Sequence, residues 1–297
     1  MDLNGDGHVD ILSGSYSRPS ADMAGLFHVF WGSDDGFAQA EPLLGSDGEP
    51  LIIGADREQV GQLLRICTRP SACDLNGDGH LDLVVGNFEG TFHVFWGEPE
   101  HRFGPVSQVL RGGGKPLKVK YHSDPFPVDW DGDGDIDLVS GSDRGGVYLA
   151  INAGSASEPD FEAFETLVAP PPYRGGMPDK GLQLGTRHVH RPRTDTRVTV
   201  ADVNGDGVHD LLVGDTGDFY SAPEGRTDEE TLEAYARWQT DGQALKKQDV
   251  STEDWGVRFR EHNDALEEIV DRRRLGLVFV YLGQRHEDLR STAPEAR

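Results

Sequence analysis

The sequence predicts an all-β chain folded as a β-propeller of four blades, with a helical hairpin inserted in the last blade. Three observations carry this. An acidic motif recurs four times without gaps, each copy leads into a short apolar strand, and further strand-length segments follow at matching offsets. The copies read DLNGDGHVDILSG at 2–14, DLNGDGHLDLVVG at 74–86, DWDGDGDIDLVSG at 129–141 and DVNGDGVHDLLVG at 202–214.

Each unit builds a four-stranded antiparallel meander. A first strand leads into the loop, as in PSAC at 70–73, PFPV at 125–128 and VTVA at 198–201. A second strand leaves it, at Asp10–Ser13, Asp82–Val85, Asp137–Ser140 and Asp210–Val213. A third reads FHVFWG at 27–32 and again at 92–97, VYLAIN at 147–152 and VFVYLG at 278–283. Phe37, Phe103 and Phe161 are expected to open a fourth. That content is one propeller blade. The blades fall at about 1–60, 61–120, 121–195 and 196–285, in one propeller domain spanning 1–297 with a tail at 286–297. Only Met1 precedes the first loop, so the first blade lacks its first strand. The expectation is a truncated N-terminus, with the four blades either a closed ring or an excerpt of a larger propeller.

The fourth blade is interrupted at 217–273. Thr227 and Glu230 make a capping box, with Leu232, Tyr235 and Ala236 following at helical spacing. A second helix is expected to start near Ser251 and to carry Trp255, Phe259, Leu266, Ile269 and Val270 on one face.

Composition bounds the partners. Of 297 residues, 52 are Asp or Glu and 28 are Lys or Arg, a net charge of −24. Nucleic acid and anionic membranes are poor partners for such a surface, because phosphate binding needs clustered cations. No apolar run approaches membrane-spanning length, so no membrane insertion is expected. Cys67 and Cys73 flank a turn-like segment; they either pair locally or remain two thiols.

Much of the acid sits in the loops, at positions 1, 3, 5 and 9. These are Asp2, Asn4, Asp6, Asp10; Asp74, Asn76, Asp78, Asp82; Asp129, Asp131, Asp133, Asp137; and Asp202, Asn204, Asp206, Asp210. Position 7, held by His8, His80, Asp135 and Val208, can add a backbone carbonyl. Glycine at positions 4 and 6 permits the positive φ angles that bring alternate side chains to one point. Hard oxygen donors suit Ca²⁺, about four ions in all, one per loop. The opening is like an EF-hand, but Asp at position 9 closes it where an EF-hand has Glu at 12, and strands flank it. Without a cation these would be ordinary Asp-Gly turns with mutually repelling carboxylates.

The loop, the following D-[IL]-[LV]-x-G strand and the V-F strand beyond it together resemble the FG-GAP/VCBS repeat family, the blades of integrin-α-like propellers. The resemblance covers about residues 1–216 and 274–284. It implies a β-propeller, structural calcium between the first and second strands, and an extracellular, cell-surface or periplasmic setting. It also implies adhesion, carbohydrate binding or service as an accessory domain of a secreted enzyme.

In a meander, the loops after the first and third strands share one face. The remaining connections share the opposite face, where the chain is most irregular: 15–26, 169–197 and the insertion. Variable loops on a rigid scaffold are where binding resides. Arg187, His188, His190, Arg191 and Arg193 form the most basic stretch, with the two histidines on one side of an extended chain. An anionic ligand such as an acidic sugar would fit there; salt bridging to the insertion is the other reading. His28 and His93 occupy equivalent strand positions and read as scaffold. Catalytic motifs such as Gly-x-Ser-x-Gly or His-Glu-x-x-His are missing from the sequence. The expectation is a calcium-stabilised propeller that binds a protein or glycan. The alternative is a secreted carbohydrate-active lyase or hydrolase, or its accessory domain, with its site on the face opposite the calcium loops.

Overall fold

The computed structural model describes residues 1–15, 25–54, 66–171, 182–247 and 253–284. The chain separates into two compact units: Met1–Pro171, Pro192–Asp215 and Val278–Arg297 form one, and Pro172–Arg191 with Thr216–Leu277 the other. The first is the β-propeller. Its four blades use the strands that alternation predicts; in blades 2 and 3 the second strand is buried on both faces and therefore reads as an apolar run.

Blade 2 is the clearest. Its sheet runs from Arg69–Cys73 through Asp82–Gly86 and Phe92–Phe95 to Gln108–Val109, all antiparallel. Blade 3 repeats this with Asp124–Val128, Asp137–Gly141, Val147–Ala150 and Glu165–Val168. Blade 1 has Ile11–Ser13, His28–Phe30 and Glu41–Pro42. Blade 4 has Thr194–Ala201, the near half of Asp210–Ser221, and Val278–Tyr281.

Period-two alternation sends successive side chains to opposite neighbours. Leu83, Val85 and Phe95 of blade 2 pack with Phe27 and Val29 of blade 1. Val84, Phe92 and Val94 pack with Leu138 and Ala150 of blade 3. Val139, Val147 and Leu149 then pack with Val200, Leu211 and Val213 of blade 4. The core is thus a series of slabs between sheets.

Two further contacts recur at each junction. The hydroxyl six residues ahead of the loop accepts a backbone N–H from the end of the preceding blade's second strand. Ser15 N donates to Thr68 Oγ1 at 2.8 Å, Asn87 N to Ser123 Oγ at 2.8 Å, and Ser142 N to Thr196 Oγ1 at 2.9 Å. The residue just before each donor is glycine, and a Cβ there would overlap the carbonyl oxygen of Thr68, Ser123 or Thr196. Gly14, Gly86 and Gly141 are therefore required by close backbone approach, not by φ. At the equivalent Gly214 the nearest atoms stand 3.9 Å from a built Cβ, and they belong to Arg197.

The outer face of blade 4 is correspondingly open. Val278 is 68% exposed and Val280 52%, whereas Phe92, Val94 and Val147, at matching positions, are fully buried. On the far side of blade 1, Val9 and Ile11 are exposed as well.

Two expectations need correction. Phe37 and Phe103 do not open the fourth strand. They close short hairpins with Gly32–Ser33 and Gly97–Glu98, and Phe161 makes only isolated bridges, one of them to Asn152. The fourth strands start later, because Phe103 and Phe161 are first anchored in the slabs between blades. In the second unit, α1 (Asp228–Lys246) begins at the expected capping box, with Thr227 and Glu230 bonding reciprocally. However, α2 (Glu253–Asp264) carries only Trp255 and Phe259 of the expected apolar stripe and ends before the rest. Leu266 and Ile269 lie on a separate turn, α3 (Leu266–Ile269), and Val270 is extended. The unit's core is Leu182, Tyr235 and Val270, ringed by Tyr220, Trp238 and Leu266. Trp238 Nε1 donates to the His262 carbonyl and Trp255 Nε1 to that of Leu245, tying α1 to α2. The sequence also hides a ribbon: the second strand of blade 4 continues to Ser221 and pairs there with Asp271–Leu275. Most of 15–26, the start near Ser251 and the tail lie outside the described residues. Cys67 and Cys73 are free thiols, and burial pushes Cys73 up to about 12.

The junction geometry makes a paired prediction. Gly86→Ala should cost about 1–3 kcal/mol in urea unfolding, as overpacking does, while Gly214→Ala should be near neutral. A second prediction concerns His93, which is buried and has its pKa pushed down to about 4 by that burial. The unfolded chain binds the proton near pH 6.5, so between pH 6.5 and 4 it holds more protons than the native state. Stability should fall on the order of 2–3 kcal/mol as pH drops through that window, and His93→Leu should flatten the dependence in melts run at fixed pH steps.

Candidate metal centres

The four acidic loops fold alike, and the reason is local. Gly5, Gly77, Gly132 and Gly205 have φ between 69° and 80°, and Gly7, Gly79, Gly134 and Gly207 between 79° and 96°. Those left-handed positions curl the chain so that its own N–H groups converge on the side chains of positions 1, 3 and 5. Asp2 accepts from Gly5, Asp6 and Gly7; Asp202 accepts from Gly205, Asp206 and Gly207. These backbone bonds, Gly7 N–H and Gly207 N–H foremost, hold Asp2 and Asp202 below the usual carboxylate range. Asn4 Oδ1 accepts from Asp6 N at 3.0 Å, and Asp6 Oδ1 from His8 N at 2.9 Å; the second and fourth loops repeat both bonds.

Position 9 does something the sequence does not announce. Its carboxylate spends one oxygen on the N–H of position 2 and the other on the N–H of the second residue past the third strand. Asp82 accepts from Leu75 at 2.9 Å and Gly97 at 2.6 Å; Asp137 from Trp130 at 2.8 Å and Asn152 at 2.7 Å. Asp10 does the same with Leu3 and Gly32, and Asp210 with Val203 and Gly283. All four are buried, and burial pushes Asp82 and Asp137 upward. Position 9 is thus a bracket between loop and blade before it is a ligand. Each of its oxygens keeps a second lone pair.

The donor set fits a hard cation. In the third loop, one oxygen each from Asp129, Asp131 and Asp137 lies within 4.8 Å of the others. That span is about twice a Ca–O bond of 2.3–2.6 Å, so one ion can touch all three. The other loops put Asn at position 3, with its oxygen turned into the same curl. The first two loops are roofed by the next blade: a Cβ at Gly5 would strike the His101 ring, and one at Gly77 would touch Ala156. The connections after the first and third strands therefore share a face.

The basic stretch is not extended. Thr186–Val189 is a turn closed by Val189 N to Thr186 O at 3.0 Å, which takes His188 and His190 off a common side. Arg187, His190 and Arg191 are exposed and His188 is half-buried. Arg193 lies in the propeller unit, where its N–H donates to Asp215 at 3.0 Å and its Nε stands 3.6 Å from the same carboxylate. The junction hydroxyls Thr68, Ser123 and Thr196 escaped the sequence reading, although their constant offset from each loop was the signal.

Residues 74–121 and 129–213 match the FG-GAP-like repeat. Phosphatidylinositol-glycan-specific phospholipase D of Rattus norvegicus is 28% identical over 187 residues, covering 56% of this chain and 21% of the relative. The chain thus spans about a fifth of the length of the curated relative it matches. Among the described residues, no helix is long and apolar enough to cross a membrane.

The bracket is testable apart from any ion. With chelator present throughout, Asp82→Asn should lose about 2–4 kcal/mol in urea unfolding, because an amide turns a donor toward a buried N–H. Asn76→Ala, at a half-buried position of the same loop, should lose less than half of that.

Proposed function

We propose that this chain, whose blades are FG-GAP-like repeats, is a calcium-stabilised binding module that holds a protein or glycan ligand outside the cytoplasm. The observation that carries the reading is the fourfold loop. Each copy concentrates oxygen side chains on a curl preset by two left-handed glycines and fixed at its base by a buried carboxylate. Such a curl is already organised before an ion arrives, and ion binding would neutralise crowded acid. Asp2, Asn4, Asp6 and Asp10 and their counterparts would supply side-chain oxygens. The carbonyls of His8, His80, Asp135 and Val208 would complete the set. The cation's role is to stiffen the blade end, not to react.

The ligand would dock on the irregular connections that interrupt an otherwise regular scaffold, the insertion and the Arg187–Arg191 turn among them. A second reading is favoured by one observation: the rat relative is named for action on a phosphatidylinositol-glycan. On that reading the module is an accessory domain of a glycan-directed enzyme. The two separate on whether an anionic glycan that binds is also turned over.

Calorimetric titration of the chelated protein with Ca²⁺, followed in parallel by thermal melting, tests the core of the proposal. One site per loop is expected, with Kd on the order of 10⁻⁴–10⁻³ M and about 1.4 kcal/mol of stabilisation per site at a tenfold excess over Kd. Heat-silent titration with an unchanged melt would overturn it.

A further inference from the structure

We propose that His122, Asp143 and Asp195 form a second kind of metal site, for a divalent transition ion, at the end of the blades opposite the acidic loops. His122 precedes the first strand of blade 3, Asp195 is the second residue of that of blade 4, and Asp143 follows the second strand of blade 3. One imidazole nitrogen and one oxygen from each carboxylate lie within 4.8 Å of one another.

The backbone that brings them together is part of the repeat. The residue before each junction hydroxyl is left-handed: Cys67 at φ 54°, His122 at 47° and Asp195 at 51°. His122 N–H donates to the Phe88 carbonyl at 3.0 Å, and Asp195 N–H to the Asp143 carbonyl at 2.9 Å, the same bond one blade later. Asp143 N–H donates to the Tyr121 carbonyl at 3.0 Å, joining the two junctions. The scaffold is therefore structural and needs no functional explanation. The side chains do. One repeated position holds Cys67, His122 and Asp195, and the other holds Phe88 and then Asp143. Outside the acidic loops, and among the described residues, only where blades 2, 3 and 4 meet do three ligand-type side chains coincide.

His122 Nδ1 stands 4.0 Å from Asp195 Oδ1, at the outer limit of an ion pair. Two ligands on one tetrahedral ion with bonds of about 2.0–2.2 Å stand about 3.3–3.6 Å apart, so a closure of about half an ångström brings both onto one ion. The His122 side chain is 11% exposed, Asp195 25% and Asp143 30%, so the ligands are held yet reachable. Phe88 packs against the imidazole at 4.9 Å between ring centroids and fixes its plane. The Arg144 guanidinium, 3.4 Å from Asp143 and over the Tyr121 ring, limits the net negative charge. Mixed nitrogen and oxygen donors select Zn²⁺ or Mn²⁺ over Ca²⁺, in contrast to the all-oxygen loops. Three protein ligands leave coordination positions for water or for an anionic group of a bound ligand.

The test is Zn²⁺ titration by calorimetry of the full chain, with millimolar Ca²⁺ present to occupy any oxygen-only sites. Asparagine tolerates a left-handed backbone, so His122→Asn and Asp195→Asn remove a ligand without adding strain. Each should weaken zinc binding at least tenfold with an unchanged melting temperature in metal-free buffer. His188→Asn and His190→Asn should bind zinc as the parent does. Absence of zinc binding in the parent, or parent-like binding in His122→Asn, would overturn the proposal. Either result leaves the calcium reading untouched, since the loops hold no histidine side-chain ligand in common with this site.

Discussion

One buried carboxylate per blade holds this molecule's parts in register. The aspartate at the ninth loop position spans the start of its own loop and the end of the third strand, satisfying two backbone N–H groups that lie far apart in sequence. Leaving those donors unpaired in a buried setting would cost more than the net gain of an ordinary hydrogen bond. The loop therefore cannot take its shape without the blade, nor the blade end without the loop. Acidic chemistry and β-architecture are one device here.

A different device joins blade to blade. Apolar slabs supply most of the attraction but little positional information, because a slab of Val, Leu and Phe tolerates sliding. The junction hydroxyl and the glycine beside its partner remove that freedom: the first needs a hydrogen bond at one place, and the second admits a neighbour's backbone only there. Successive blades then inherit the same offset. Residues just ahead of each junction hydroxyl are carried into a common arrangement whatever their side chains, which is how Cys67, His122 and Asp195 come to be equivalent.

Much of this was legible in the sequence, for identifiable reasons. The loops could be read because turn geometry demands Gly at two fixed places and because four copies expose the pattern. The second and third strands could be read because burial on both faces leaves an unbroken apolar run. The fourth strands could not: they are two to four residues long, and their boundaries follow from where Phe103 and Phe161 anchor, a tertiary matter. Extension of the blade 4 strand through Thr216–Ser221 was hidden because its partner, Asp271–Leu275, is a run of Arg with little β-character. The cluster of His122, Asp143 and Asp195 was invisible for a simpler reason: its members come from two different blade junctions, and no local spacing links them.

The uncovered sheet of blade 4 has a consequence for how the molecule behaves among its own kind. Val278, Val280 and Leu282 present the half of a slab that blades 2 and 3 bury, and Val9 and Ile11 of blade 1 present the other half. Exposed apolar side chains gathered on a sheet face favour association with another apolar surface. What opposes this is long-range repulsion between bodies of net charge −24. Such repulsion reaches about 30 Å at 0.01 M salt and about 8 Å at physiological ionic strength. Colloidal behaviour is thus set by the solvent as much as by the fold: dilute buffer keeps the surfaces apart, and added salt, or divalent ions that titrate the acid, lets them meet.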